Sequence, residues 1–291
     1  MPDIFRRRML TAMALSPLWL TGVARAQAPD TKRIITLEWL TVELLMALGV
    51  TPMGAAELHN YRVWVTTPDL PASTLDVGLR TEPNMELITQ LNPSLILYSQ
   101  GYGPSPAKLA RIAPSMGFAF NSGDGKPLTT ARHSLLQLAQ RLNLESRAHQ
   151  HLAQFDDFIA AMRTRLAARA PRPLLLMSLL DSRHAIVFGK GSLFLEVMDE
   201  LGIENAWQGE TNFWGSTIIG LERLATIKGA DVICFEHDNA AVMRQVTSTA
   251  LWQSFDFARQ QRFKRVPAVW YYGATLSAMR FCHTLDHALE A

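Results

Sequence analysis

The 291-residue chain lacks the short signatures that mark most hydrolases and nucleotide enzymes: it has no G-x-S-x-G elbow, G-x-G-x-x-G turn, P-loop or H-E-x-x-H pair. These absences weigh against an activated serine, a bound nucleotide or a zinc-held water. Cysteine is scarce as well. Cys234 and Cys282 sit in the apolar runs VICFE and RFCHT with no C-x-x-C partner, which argues against a thiol redox motif and a cysteine zinc site and predicts buried thiols. Beyond the first 28 residues there is no run of Lys and Arg, and no apolar stretch reaches the roughly 20 residues of a membrane span.

What the first residues do hold is an address. FRRRML is followed by an apolar run to about Val23, interrupted by Pro17, and then by ARAQA with small residues at alternate positions. A basic start, a short apolar middle and a small-residue end predict a signal peptide over residues 1–28, of the twin-arginine kind, cleaved after Ala26 or Ala28. Its removal takes away Arg6, Arg7, Arg8, Arg25 and Asp3, leaving 24 basic against 25 acidic residues. The formal charge of +2 therefore belongs to the leader, and no electrostatic case for nucleic acid remains.

The remaining chain repeats one series of signals. RIITLEWL reads as a strand, VELLMALGV as a helix stopped at Gly49, and NMELITQLNPSLILY as helix, turn and buried strand. The series returns as PLLLMSLLD and HAIVFG, LFLEVMDELGI stopped at Gly202, and GLERLATIKGADVICFE. Between the copies, residues from about Thr130 to Ala170 are almost free of breakers, and Pro171 follows. This predicts an N-terminal α/β lobe over 29–141, a linking helix over 142–170 and a C-terminal α/β lobe over 171–291, with a cleft between the lobes. A single doubly wound α/β domain is the competing arrangement.

Aromatic residues gather in loops and at strand ends among Gly, Asn, Gln and Ser: Trp64, Tyr98, Tyr102, Trp207, Trp214, Trp270 and Tyr272. Such placement fits the wall of a ligand site, although each ring alone also fits ordinary packing. Trp39 and Trp252 lie inside regular elements and are expected in the core. In AVWYYGA, read as a strand, Trp270 and Tyr272 share one face and Tyr271 takes the other, a core position. Arg80 in DVGLRTEP either pairs with Glu82 at the surface or offers its forked donors to oxygen acceptors in the cleft, beside the Tyr102 hydroxyl. Glu86 and Glu222 occupy matching first-turn positions in the two copies, where a carboxylate complements a helix dipole or forms a docking knob on each lobe. Metal ligation has weaker support: His283 and His287 lie four apart and Glu236-His237-Asp238 follows a strand, but the first half offers only His59 and His133.

The segments RRRMLTAMALSP, ITLEWLTVELLMALG, DVGLRTEPN, GYGPSP with LARIAP, AWQGETNFWGST and VPAVWYYGATLSAM resemble those of the periplasmic ferric-hydroxamate (ferrichrome) siderophore-binding proteins of Gram-negative bacteria. The resemblance runs from the leader to near the last helix. It implies a non-enzymatic, bilobal carrier whose lobes are joined by one long helix, with a shallow cleft and little bending. It also implies an inner-membrane ABC permease as partner and no cofactor beyond the iron(III)-siderophore ligand. By that resemblance Arg80 and Tyr102 hydrogen-bond the hydroxamate oxygens, Trp64, Trp214, Trp270 and Tyr272 wall the pocket, and Tyr98, Trp207 and Asn212 complete its lining. Glu86 and Glu222 match docking glutamates, and the protein works as a monomer in the periplasm. A zinc, manganese or haem carrier on the same fold is the alternative.

Overall fold

The computed structural model describes residues 28–237 and 239–290, so the predicted leader, up to residue 27, lies outside the described residues. The first half builds a five-stranded parallel sheet from β1 (Ile34–Thr36), β2 (Gly54–Ala55), β3 (Leu75–Asp76), β4 (Leu95–Ser99) and β5 (Ser115–Phe118). Helices α1 (Trp39–Ala47), α2 (Leu58–Trp64) and α3 (Met85–Leu91) connect the first four strands. The spatial order is β3-β2-β1-β4-β5. It reverses between β1 and β4, and chains leaving the carboxyl ends of those strands diverge to open a crevice.

The breaker-free middle segment holds two helices, the second of them inside the predicted 142–170 linker. Asn143 adopts a left-handed φ of 57° and closes α4 (Pro127–Leu142), and α5 (Glu145–Leu166) then crosses to the second half. The strut is therefore 22 residues, or about 33 Å at 1.5 Å per residue.

The second sheet is mixed. It contains β6 (Leu174–Leu179), β7 (His184–Phe188), β8 (Ser216–Gly220), β9 (Asp231–Glu236) and β10 (Phe263–Pro267), in the order β10-β9-β6-β7-β8. β10, β9 and β6 run parallel, while β6, β7 and β8 pair antiparallel. Helix α6 (Leu193–Leu201) ends at Gly202, whose φ of 74° makes the predicted stop, and α7 (Ala240–Thr247) and α8 (Thr275–Glu290) follow. The repeat is thus one of outline. In the second copy GLERLATI is a 3-10 segment, Leu221–Thr226, where an α-helix was expected.

The lobes share a continuous core and cap each other's helices. One apolar cluster includes Trp39, Val42, Leu58 and Tyr61 from the first half and Phe188, Phe194, Phe235, Tyr271 and Phe281 from the second. The Glu43 carboxylate of α1 accepts hydrogen bonds from the backbone N–H of Ala274 (2.8 Å) and Ser277 (3.0 Å) and from the Ser277 hydroxyl, closing the start of α8. Reciprocally, Glu196 of α6 accepts from Leu128 N (2.6 Å), Thr129 N (3.1 Å) and Thr129 Oγ1 (2.5 Å) at the start of α4. The first N–H groups of a helix have no partner within it, so each carboxylate supplies the missing acceptors from the opposite lobe. Gly273 is required at this junction: a Cβ there would come within 2.2 Å of Ser277 Oγ and 2.3 Å of Glu43 Oε1. Cys234 and Cys282 are buried and free, as their apolar settings predict.

Candidate functional site

The candidate site lies just past the carboxyl ends of the first sheet's strands, against the segment that follows β10. Glu38 follows β1, Glu57 follows β2, Arg80 follows β3, Ser99 ends β4, and Phe120 follows β5. AVWYYGA is not a strand, because β10 and its pairing with β9 end at Pro267. The chain beyond turns so that Tyr271 packs on Phe188, with ring centroids 4.9 Å apart, while Trp270 and Tyr272 face the crevice. The lining of this pocket of about 230 Å³ comprises Glu38, Leu40, Arg80, Ser99, Tyr102, Phe120, Trp214, Trp270 and Tyr272.

Arg80 is held from several sides. Its Nε donates to Glu57 (3.1 Å), its Nη1 donates to Glu38 (3.1 Å), and its backbone N–H also donates to Glu57 (3.2 Å). The guanidinium lies 3.7 Å from the centre of the Trp39 ring, and the rings of Tyr102 and Trp270 stand 5.5 and 5.6 Å away. The surface pairing with Glu82 is therefore replaced by two carboxylates that lie far away in sequence. Glu38 also accepts from Leu40 N (2.7 Å), capping α1. Burial raises the Glu38 carboxyl above its ordinary pKa, and the charge of Arg80 and the helix N–H groups oppose that rise. Gly103 lets the loop carrying Tyr102 close over this arrangement, since a Cβ there would sit 2.7 Å from the Arg80 carbonyl oxygen.

The wall opposite Arg80 is aromatic. Tyr272 lies 5.4 Å from Phe120, 5.1 Å from Trp214 and 5.3 Å from Trp270, and Phe120 lies 5.4 Å from Trp214. Asn212 shapes this wall without lining the pocket: its side-chain oxygen accepts from the N–H groups of Trp214 (2.9 Å) and Ser216 (3.3 Å), fixing the turn that presents Trp214.

Other expected lining residues are displaced. Trp64 stands one layer behind, stacked on His237 at 4.2 Å and edge-on to Trp270 at 6.4 Å. Tyr98 lies against Gly117 and lines an adjoining depression together with Ser99 and Tyr102. Trp207 is not brought to the cleft. It is buried in the second lobe against Gly189 and Gly209, with Arg223 over its ring at 5.2 Å. Leu40, Ser99, Phe120, Glu38 and Glu57 are additions that the sequence reading missed. Phe120 carried the same signal as its fellows, an aromatic just past a strand end among Asn, Ser and Gly.

The histidines form no centre. His237 is half-buried against Trp64, and desolvation pushes its pKa down to about 4. His283 packs on Phe158 at 4.9 Å, and the His287 side chain is 91% exposed. Among the described residues no group of three or more His, Cys, Asp and Glu is arranged to hold a metal ion. The arrangement suits a ligand that brings its own oxygen acceptors and apolar surface.

Comparison with known proteins agrees with this architecture. The iron(3+)-hydroxamate-binding protein FhuD of Escherichia coli (strain K12) is 58% identical over 99% of this chain and 98% of its own. The siderophore-binding protein FhuD from Vibrio cholerae, solved with Fe3+-Desferal bound, superposes with a TM-score of 0.79 at 28% identity, covering 89% of this chain and 98% of that one. FhuD2 from Staphylococcus aureus with bound ferrioxamine B shares the fold, with a TM-score of 0.72 at 14% identity over 88% of this chain and 97% of that one. The family model for periplasmic binding proteins matches residues 34–269, and the chain belongs to that family.

Proposed function

We propose that the protein is the substrate-binding component of an ABC importer, capturing iron(III)-hydroxamate siderophores of the ferrichrome type in the periplasm and handing them to an inner-membrane permease. The observation that carries this reading is an arginine and a tyrosine brought together in an aromatic-walled crevice, with the guanidinium 5.5 Å from the Tyr102 ring. Iron(III) is a hard ion that arrives already enclosed by siderophore oxygens. The protein has only to offer donors to those oxygens and apolar contact to the scaffold. The close relationship to a hydroxamate-binding protein supports the same ligand class. Arg80 and Tyr102 are the donors in this reading, Trp214, Trp270 and Tyr272 the inner wall, Tyr98 the flank that a larger ligand reaches, and Trp64 a support behind Trp270. The pocket is below the range of about 300–1,000 Å³ usual for small-molecule sites, so a siderophore also occupies the adjoining depression.

Tryptophan fluorescence titration with ferric hydroxamate, catecholate and carboxylate siderophores tests the assignment. Micromolar or tighter quenching by hydroxamates alone supports it, and no quenching by any hydroxamate overturns it. Glu86 in the first turn of α3 and Glu222 in the 3-10 segment are both exposed, one on each lobe. They serve in this reading as knobs for basic pockets of the permease, and the carrier acts as a monomer, which sedimentation at working concentration checks.

A further inference from the structure

We infer that Asn121 is a positioning residue for the cleft: from the first lobe it holds the turn of the second lobe that carries Trp214, and through that bond it sets how long a bound ligand stays. This rests on the hydroxamate reading above and goes beyond it to the rate of ligand exchange.

Asn121 lies in the loop after β5, where the next three residues are exposed, yet it is itself only 5% exposed. Its side-chain oxygen accepts from Gly123 N (2.7 Å), a local turn that asparagine closes readily, and this commits the amide nitrogen to the other direction. That nitrogen donates to the Phe213 carbonyl (2.8 Å), 92 positions away and in the opposite lobe. Both ends of the buried amide are thereby satisfied.

The turn that Asn121 meets is anchored at its base within the second lobe. The Asn212 side chain accepts from Trp214 N and Ser216 N, and Gly215 N donates to the Asn212 carbonyl (2.9 Å). Gly215 also sits so close to the start of α6 that a Cβ there would lie 1.9 Å from Ser192 N. The tip is different. Phe213 is 55% exposed, and among the described residues its carbonyl accepts a hydrogen bond from Asn121 alone. Trp214 follows it, 5.4 Å from Phe120 in the first lobe and 5.1 Å from Tyr272 in the second. Without the Asn121 bond the tip loses its hold on the first lobe, and Trp214 is free to swing away from Phe120. A wall that opens more often releases ligand sooner while encounter changes little, so the effect falls on dissociation.

Asn121→Asp separates the two bonds, because at pH 8 its carboxylate still accepts from Gly123 N but has no proton for the Phe213 carbonyl. Ferrichrome exchange is followed by stopped-flow tryptophan fluorescence in this variant and the wild type, and again with Trp214→Ala in both, with folding checked by thermal melts. Dissociation should be about tenfold faster in Asn121→Asp, with association within about threefold, and less than about twofold faster when Trp214 is absent. Acrylamide quenching of the ligand-free proteins gives a second readout, rising in Asn121→Asp only where Trp214 is present. Asn121→Ala, which loses both bonds, should behave alike and decides alone if the aspartate variant does not fold. Unchanged dissociation in the folded variant, or equal acceleration with and without Trp214, overturns the inference while leaving hydroxamate binding intact. Failure of the wild type to bind ferrichrome overturns the functional reading, and this inference with it.

Discussion

Replacing Glu43 by glutamine should leave the protein folded and remove one segment of its pH dependence. Glu43 is wholly buried, and burial pushes its carboxyl up from 4.5 to about 7 despite three hydrogen bonds that favour the charged form. Below pH 4.5 the group is protonated in folded and unfolded chains alike. Between pH 4.5 and 7 the unfolded chain loses this proton while the folded one keeps it, so stability falls as pH rises, and above 7 the loss is complete. A shift from 4.5 to about 7 corresponds to about 3 kcal/mol at 1.36 kcal/mol per unit.

Other groups titrate in the same range, with both signs. Glu38 adds to the effect, while His237, half-buried with its pKa lowered to about 4, opposes it at the acid end. The measurement is therefore a difference: urea unfolding of wild type and Glu43→Gln at pH 5, 6, 7 and 8. A glutamine oxygen can accept from both backbone N–H groups, and its amide can donate to Ser277 Oγ, so the variant keeps the cap. Its stability relative to the wild type should rise by about 2–3 kcal/mol from pH 5 to pH 8. Glu43→Ala, by contrast, orphans the Ala274 and Ser277 donors and should cost about 3–5 kcal/mol throughout. A flat difference for the glutamine variant across this range would refute the argument that the buried carboxyl carries a proton at neutral pH.

Arg80→Ala leaves Glu38 and Glu57 without their cation in a mostly buried setting, so it should lose about 3–5 kcal/mol in urea unfolding and weaken hydroxamate binding more than about tenfold. A loss below about 1 kcal/mol would show that the trio is not coupled. Gly273→Ala forces a methyl group onto Glu43 and Ser277; calorimetry should show it at least about 2 kcal/mol less stable, and titration should show weaker ligand quenching as Tyr272 shifts. Glu86→Ala combined with Glu222→Ala should preserve binding and abolish uptake in cells, and normal uptake would remove both from the docking surface.

The architecture was legible where local rules decide it. Gly49 and Gly202 both take left-handed backbone after their helices, and the alternation of apolar runs and helical periods predicted two α/β halves. The 142–170 linker is likewise met by α5 (Glu145–Leu166), which Asn143, in a conformation that asparagine tolerates, sets apart from α4. The reading failed in one short segment. GLERLATI has helical composition but forms a 3-10 segment, Leu221–Thr226, between β8 and the turn before β9.

The site divides along the same line. Aromatics beside strand ends could be found from spacing, and Trp214, Trp270, Tyr272 and Tyr102 do meet in one pocket. Trp207 met the same criterion and is core, because small residues next to a tryptophan can equally be the hollow it fills, as Gly189 and Gly209 are. The carboxylates were invisible for a stronger reason. Glu38 and Glu57 lie 42 and 23 positions from Arg80, and Glu43 lies 231 and 234 from its partners at the start of α8. No local pattern encodes such pairs: Glu38 lies in RIITLEWL, which reads as a strand, Glu43 in the helical VELLMALGV, and Glu57 in a loop. The division of AVWYYGA shows the limit from the other side. Trp270 and Tyr271 are both buried, 5% and 7% exposed, and of the three rings Trp270 and Tyr272 line the pocket, as alternation predicts, yet no ladder continues past Pro267. The three rings contact one another, with Trp270 and Tyr271 stacked at 5.3 Å, and what differs is their outer neighbours: Phe188 and Phe194 receive Tyr271, and Arg80, Phe120 and Trp214 bound the space that Trp270 and Tyr272 face. Glu43 fixes the register of that segment through α8, so the carboxylate with the least visible role in the sequence governs where the most visible aromatics stand.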